Sequence, residues 1–327
     1  MVIEAPSLAY WRTSGLCLLD LREEAEQRYV LTCDRAVPIP WSAQKARCHE
    51  YPARQAAFGL LCPRDRSKAQ VQVDWFLSET IRVQQLPWRR LAFYIVDSDD
   101  IAAEANALAL VGAQTPLFPQ PRLWSPNALL FELVPVVVGL KADPTAAVID
   151  LACGSGRDIV YFAEEVLAVA PQPDLSNRFI GVNDNRSGRK KGLAFASRRG
   201  VDKVVDFLKM DLNRVGPFSQ HAWGPIQCVY GCRFLNRRLF AVIRALVPVG
   251  GVVGWMHFCA PPDGSPWRWA HPSQISDILK LGELRSRFED CFEILVDKVV
   301  LDTDHGRPMN VFIARKRAHP TMGAFLV

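Results

Sequence analysis

The sequence predicts a two-domain α/β protein whose C-terminal part is a mostly parallel sheet closed by an antiparallel hairpin. Three observations predict it. The chain has 327 residues, longer than one typical domain and closer to two. From Ala146 onward, apolar strands alternate with helical stretches of about ten residues, the pattern of βαβ units and a parallel sheet. One of those strands, Val148 to Leu151, carries a carboxylate near its end and turns through Gly154 and Gly156 into a helix.

Composition narrows the function classes. A hydrophobic share of 49% with 22% charged residues supplies ordinary cores and excludes long disorder. The net charge of +5 permits an anionic substrate or RNA without demanding either. The nine cysteines are odd in number, form no CxxC and share no zinc-finger spacing with histidine, so they read as reduced intracellular residues and no metal site is expected. Met1 to Trp11 lacks a basic segment followed by an apolar stretch, so no signal peptide is expected. The longest apolar run, Val134 to Leu140, contains Pro135 and is too short to span a bilayer. A cytoplasmic protein with no membrane partner is expected, an organelle remaining open.

Taken in order, Gly15 to Arg22 opens with an apolar strand, followed by a helix-like stretch at Glu23–Arg28. Ala36 to Trp41 reads as a short edge strand or turn, because Pro38 and Pro40 forbid a central strand. Ala56 to Leu61 is a further strand, Cys62 to Arg66 a polar loop, and Ser67 to Glu79 a helix with Val71, Trp75 and Phe76 at helical spacing. Strands are expected at Ile81–Leu86 and Leu91–Val96, a helix at Ile101–Val111, a proline-rich connector at Thr115–Pro121 and a short helix at Asn127–Leu140. Then come strands at Ala147–Leu151, Phe179–Val182, Ile226–Tyr230 and Gly251–Phe258. Helices are expected at Asp158–Ala170, Arg189–Arg199 and Arg237–Leu246. Phe292–Leu301 and Asn310–Lys316, joined by a polar turn, read as the closing hairpin.

The strongest chemical signal is Val148-Ile149-Asp150-Leu151-Ala152-Cys153-Gly154-Ser155-Gly156-Arg157-Asp158. Glycine is needed where the backbone turns left-handed and approaches a ligand without a Cβ. The helix that follows offers free N–H groups to a polar ligand. A dinucleotide fingerprint needs a third glycine where Ile159 stands. The pattern Asp-x-Ala-x-Gly-x-Gly instead resembles motif I of the class I S-adenosylmethionine (SAM)-dependent methyltransferases, with Ala152 replacing the first glycine.

Three later segments extend the resemblance over about 170 residues, and Arg233-Phe234-Leu235-Asn236-Arg237 is similar to the tellurite-resistance-type branch. Phe179 to Asp184 matches the second strand, whose terminal acid holds the ribose in that family; Asn183 stands at the expected place and Asp184 one later. Phe207 to Leu212 matches the third, whose acid and next residue contact adenine. The segment Ile226 to Arg237, then Leu246-Val247-Pro248-Val249-Gly250-Gly251, matches the fourth strand and the end of its helix, where the glycines are expected to stop the helix. The fourth strand lacks the Asn/Asp-Pro-Pro-Tyr tetrapeptide of many amino-directed nucleic-acid methylases. The resemblance implies a Rossmann-like methyltransferase domain over 145–317 and SAM contacts at Asp150, Ala152, Gly154, Gly156, Asn183, Asp184, Asp211, Leu212 and Cys232.

Leu18-Leu19-Asp20-Leu21-Arg22-Glu23, then Pro38-Ile39-Pro40-Trp41, resembles the opening of rhodanese-like domains. In active rhodaneses a cysteine ends the central strand and begins a loop of N–H donors that stabilises a persulfide. In one register Phe58 to Cys62 is that strand, with Cys62 as a vestigial rhodanese cysteine; in the other it is Leu91 to Asp97, with no cysteine. The first is preferred because the helix and strand that follow fall into place. Its loop is short and Pro63 lacks an N–H, so sulfurtransferase activity is not expected. The domains expected are a degenerate rhodanese-like module over 1–90, a connector over 91–144, the methyltransferase domain, and a tail over 318–327.

Catalytic candidates are sparse. If the aromatic stretch after the fifth strand lines the acceptor pocket, His257 or His271 would assist deprotonation, with Arg233 a third candidate; otherwise Trp255 and Phe258 are core and the histidines are surface polar groups. Arg186, Arg189, Lys190, Lys191, Arg198, Arg199 and Lys203 read first as a solvated helix face, since few aromatics are interleaved for base stacking. The acceptor is left open: a small molecule first, a thiol or chalcogen nucleophile among the choices, with RNA methylation and non-catalytic SAM binding as alternatives. The oligomeric state is open too.

Overall fold

The computed structural model describes residues 2–33, 35–52, 56–78, 91–111, 121–140, 145–169, 179–303 and 305–318. The chain divides into two units, Met1–Ser125 and Pro126–Val327, each with its own sheet. The expected strand at Ile81–Leu86, most of the proline-rich connector and nearly all of the tail lie outside the described residues. Among the described residues no helix is long and apolar enough to cross a membrane.

In the first unit the elements are β1 (Ile3–Glu4), α1 (Leu8–Ser14), β2 (Cys17–Asp20), β3 (Ala36–Pro38), α2 (Gln44–Arg47), β4 (Phe58–Cys62), α3 (Arg66–Leu77), β5 (Leu91–Val96) and α4 (Asp99–Ala107). The strands form a five-stranded sheet in the order β1-β5-β4-β2-β3, with all pairs parallel. β4 reads FGLLC and is buried at every position, as expected for a central parallel strand. β3, with its proline, takes the edge.

Several expectations are corrected here. Leu91–Val96 is not part of a connector, because it pairs with both β4 and β1 inside the first sheet. The alternative register for the central strand fails for the same reason: β4 occupies the centre, and β5 lies one place out. Glu23–Arg28 supplies only a single 3-10 turn, Glu24–Glu26. In α3 the inward stripe is Ala69, Gln72, Val73 and Phe76, while Val71 is exposed. β1 and α1 were not anticipated; a strand of two exposed residues carries no periodic signal.

The second unit contains α5 (Ala128–Val138), β6 (Ala147–Leu151), α6 (Arg157–Val169), β7 (Phe179–Asn183), α7 (Arg186–Arg198), β8 (Val205–Lys209), α8 (Val215–Gln220), β9 (Ile226–Cys232), α9 (Arg237–Leu246), β10 (Val252–Phe258), α10 (Glu283–Phe288), β11 (Phe292–Leu301) and β12 (Pro308–Lys316). The seven strands run β11-β12-β10-β9-β6-β7-β8. β6 to β10 are mutually parallel, and β12 runs antiparallel between β10 and β11. Counted from β6, the parallel part has the doubly wound order 3-2-1-4-5. The order reverses between β6 and β9, the kind of switch point beside whose C-terminal strand ends doubly wound sheets bind ligands.

Side chains of α8, α9 and α10, among them Phe218, Phe240 and Phe288, pack with Ile149, Val229 and Trp255 in one core. α5 packs on α6 and on β10 and β12. The end of α9 differs in detail from expectation. The helix stops at Leu246, with Val247 as its cap in extended conformation, because Pro248 cannot continue the ladder. Gly250 then makes the left-handed turn into β10.

Candidate functional site

β6 is apolar and wholly buried, and the chain leaves it in a left-handed zigzag: Ala152 at φ 61°, Gly154 at 59° and Gly156 at 80°. The two glycines serve different ends. A Cβ on Gly156 would stand 2.4 Å from the Phe207 ring, and Gly181 and Gly192 border the same buried ring at 2.8 and 2.5 Å. Gly156 therefore makes room for a core aromatic. A Cβ on Gly154 would meet nothing within 4 Å, so the loop presents bare backbone to open space there. Ala152 holds a conformation that costs an L-residue roughly 1–2 kcal/mol.

Beneath the loop lies a buried polar nest. Asp150 is 2% exposed, and burial drives its carboxyl well above the usual range; Asp158 pushes the same way and Tyr230 opposes. Neither Asp150 Oδ2 nor the Tyr230 hydroxyl meets hydrogen-bond geometry with a described residue. Asp150 is thus a buried carboxyl beneath the loop. Asp158 accepts from the Asn127 backbone N–H at 3.1 Å and from its side-chain amide, which clamps the start of α5 to the start of α6. Burial also raises the Cys153 and Cys232 thiols; for Cys232, Asp158 and Asp150 add to it and Arg233 opposes. Cys232 is a protonated thiol at neutral pH.

Asn183 closes β7 and is already engaged. Its Nδ2 donates to the Gly154 carbonyl at 2.9 Å, and its Oδ1 accepts from the Asn185 N–H at 3.2 Å. Asp184 is exposed and makes no hydrogen bond or ion pair with a described residue. Beyond β8, the Asp211 carboxylate accepts from the Asn213 N–H at 3.0 Å, and the carbonyl of buried Leu212 accepts from the Asn236 amide at 2.8 Å. The basic stretch on α7 is partly inward: Arg199 is buried against Glu164 at 2.6 Å, and Arg189 donates to the Phe207 carbonyl. Arg186 and Lys190 face solvent.

β9 ends at Cys232, and Arg233 follows in the left-handed region, its N–H donating to the Met256 carbonyl at 2.7 Å. His257 is buried, with Nε2 donating to the Asp277 carbonyl at 2.8 Å. Burial lowers its pKa, so it is neutral, and its buried Nδ1 has no hydrogen-bond partner among the described residues. That placement removes it as an open general base. Trp255 is core, its indole donating to the Phe234 carbonyl at 3.0 Å. His271 is exposed on the segment after β10, where the Trp267 and Trp269 rings lie 4.7 Å apart.

The parallel strands therefore bring the Asp150–Gly156 loop, Asn183–Asp184, Asp211–Leu212 and Cys232–Arg233 to one edge of one sheet. The Asn127–Asp158 clamp was missed, although an acid in the first turn of a helix and an Asn before an apolar run are both start signals.

Cys62 belongs to the other unit. It ends β4 fully buried, and burial, with Asp20 and Glu4 nearby, pushes its thiol up to about 12. Asp65 caps α3 through the Ser67 and Lys68 N–H groups. Arg22 is buried, forked onto Asp20 at 3.0 and 2.8 Å, with the Tyr29 ring 4.2 Å from its guanidinium.

No protein-family model matches the chain. An uncharacterized protein of Schizosaccharomyces pombe is 25% identical over 253 residues, which cover 67% of this chain and 69% of that protein. Among solved structures, geranyl diphosphate C-methyltransferase from Streptomyces coelicolor A3(2), in complex with Mg2+, geranyl diphosphate and S-adenosyl-L-homocysteine, is similar at 16% identity over 57% of this chain and 77% of that one, with a TM-score of 0.42. TehB from Haemophilus influenzae is 16% identical over 56% of this chain and 62% of its own, with a TM-score of 0.40. YcgJ from Bacillus subtilis is 12% identical over 58% of this chain and 99% of its own, also with a TM-score of 0.40.

Proposed function

We propose that the second unit is a SAM-dependent methyltransferase acting on a small-molecule acceptor at the C-terminal edge of β6, β7, β8 and β9. The observation that carries the reading is the left-handed loop after β6, which leaves open space over Gly154 at the point where the strand order reverses. That cradle is one a Cβ would fill, and it fits a ligand lying against backbone. Around it, Gly154 and the neighbouring loop would hold the methionine portion. Asp184, a carboxylate without a partner among the described residues, would take the ribose hydroxyls, and Asp211 with Leu212 would border the adenine. Asn183 has the different task of bracing the loop through Gly154.

When bound, SAM supplies a methyl group already activated on a sulfonium. The chain's part is alignment and exclusion of water, so that a nucleophile held on the same edge meets that methyl in line. The protonated thiol of half-buried Cys232 and the buried imidazole of His257 leave proton removal to the acceptor, to exposed His271 or to solvent. The experiment is a calorimetric titration with SAM and S-adenosylhomocysteine. One equivalent bound is expected, and no heat from either ligand would overturn the reading.

For the first unit we read a rhodanese-like module without sulfurtransferase activity. A parallel five-stranded sheet with Cys62 ending its central strand supports the likeness. The buried thiol, Pro63 and the self-capping Asp65 argue against turnover.

A further inference from the structure

We propose that Arg233 recognises the methyl acceptor, and that the acceptor carries an anionic oxygen group, a carboxylate or a phosphate. The inference rests on the methyltransferase reading and names the substrate class of that site. In the second unit, the described non-glycine residues with left-handed backbone are Ala152 and Arg233. One follows β6 and the other follows β9, the two strands between which the sheet order reverses. Strained backbone persists where the surrounding structure over-determines it, and it clusters at ligand sites. An arginine gains nothing from φ 56° that a glycine would not provide at less cost. The retained side chain therefore calls for a use.

The guanidinium is available for one. Arg233 is exposed and makes no hydrogen bond or ion pair with a described residue. On α9, Arg237 is paired with Glu283 and Arg244 with Asp290, while Arg238 is exposed and, unlike Arg233, sits in regular helix. Its backbone is pinned on both sides: its N–H bonds the Met256 carbonyl, and the next carbonyl, that of Phe234, accepts from Trp255. Asn236 ties the same segment to the Leu212 carbonyl. A planar fork set on a fixed backbone suits bidentate capture of a carboxylate or phosphate. Captured there, an anionic acceptor would be oriented at the C-terminal edge of the sheet without any bond to Arg233 being made or broken.

The test uses the full chain. Inorganic phosphate and acetate are titrated separately, at constant ionic strength, into protein saturated with S-adenosylhomocysteine. Saturable binding of one of them is expected, and which one binds distinguishes the two sources. Arg233→Gln should weaken that binding about tenfold or more, the scale of a lost charged hydrogen bond, with S-adenosylhomocysteine affinity unchanged. Arg233→Gly should lose it as well while Tm stays level or rises, because glycine relieves the left-handed strain. Anion binding retained in Arg233→Gln, or absent from the unmodified protein, overturns the proposal. So does an equal loss of S-adenosylhomocysteine affinity, which would assign Arg233 to the cofactor's own carboxylate, or a fall of Tm in Arg233→Gly, which would make its role structural. Failure of S-adenosylhomocysteine to bind the unmodified protein overturns the methyltransferase reading itself, and the acceptor role with it.

Discussion

The Asn183 side-chain amide donates to the Gly154 carbonyl at 2.9 Å, so the end of one strand holds the loop that leaves its neighbour. An aspartate there cannot donate, and its carboxylate would face the carbonyl. Asn183→Asp should therefore lower stability by about 1–2 kcal/mol in urea unfolding and weaken S-adenosylhomocysteine binding, although it supplies the acid that the methyltransferase-like motif leads one to expect there. Tighter binding in that variant would return the ribose role to position 183.

Asp184 carries the complementary expectation. As a solvated carboxylate with no described protein partner, it costs nothing to the fold when removed. Asp184→Ala should leave the urea midpoint unchanged and weaken S-adenosylhomocysteine binding by about 1.5–3 kcal/mol, the scale of a charged hydrogen bond. Unchanged calorimetric affinity of this variant relative to the unmodified protein would remove Asp184 from the site.

The two loop glycines should separate binding from stability. Gly154→Val places a branched side chain in open space, so binding should be abolished while the domain stays folded, with a strain cost of roughly 1–2 kcal/mol from φ 59°. Gly156→Ala drives a Cβ to 2.4 Å from Phe207, so it should destabilise by about 1–3 kcal/mol from overpacking alone, with further strain from φ 80°. Circular dichroism melts beside calorimetry check both. Intact affinity in a folded Gly154→Val variant would end the cofactor assignment.

Cys62 should be inert in the native state. With its thiol pushed up to about 12, it stays protonated when folded and ionises near pH 8.5 to 9 when unfolded. The folded state therefore binds the extra proton. The stability this confers is fully present below about pH 8.5 and is lost as pH rises towards 12, by up to about 1.4 kcal/mol per pH unit. Urea unfolding at pH 8 to 10 under reducing conditions should show a shallower decline in Cys62→Ala. Alkylation at pH 8 should mark exposed Cys48 before Cys62, and a cyanide-coupled assay should show no thiosulfate turnover. Turnover that vanishes in Cys62→Ser would refute the inert assignment.

Arg22 gives the first unit its own check. It is fully buried between Asp20 and Asp97, both nearly inaccessible themselves. Arg22→Ala would strand the buried Asp20 carboxylate and leave Asp97 only Tyr29 and Arg64 among the described residues, and about 3–5 kcal/mol of stability should be lost, read from urea unfolding. A loss near zero would show that the pair is not a structural keystone of that unit.

The amino-acid order by itself determined what depends on local chemistry. Alternating apolar strands and helices declared the parallel sheet, the glycines after Asp150 declared a left-handed turn into a helix, and prolines placed Ala36–Pro38 at a sheet edge. Periodicity and turn residues suffice there, because each acts within a few positions of itself. Tertiary structure decided what depends on neighbours distant in the chain. Leu91–Val96 reads as a strand in isolation, yet only its pairing with β4 and β1 assigns it to the first sheet. Asp150 and Asp184 are the same residue type, but one is sealed beside Asp158 and the other left in solvent, since burial is set by what packs over a position. Asn183 stands in the sequence only at the place expected for an acid; the fold makes the carbonyl of Gly154, twenty-nine residues away, its partner. Arg233 was legible only as the first residue of the Arg-Phe-Leu-Asn-Arg stretch; the left-handed backbone beside a reversing strand order singles it out within that stretch, and both arise only when the sheet has formed.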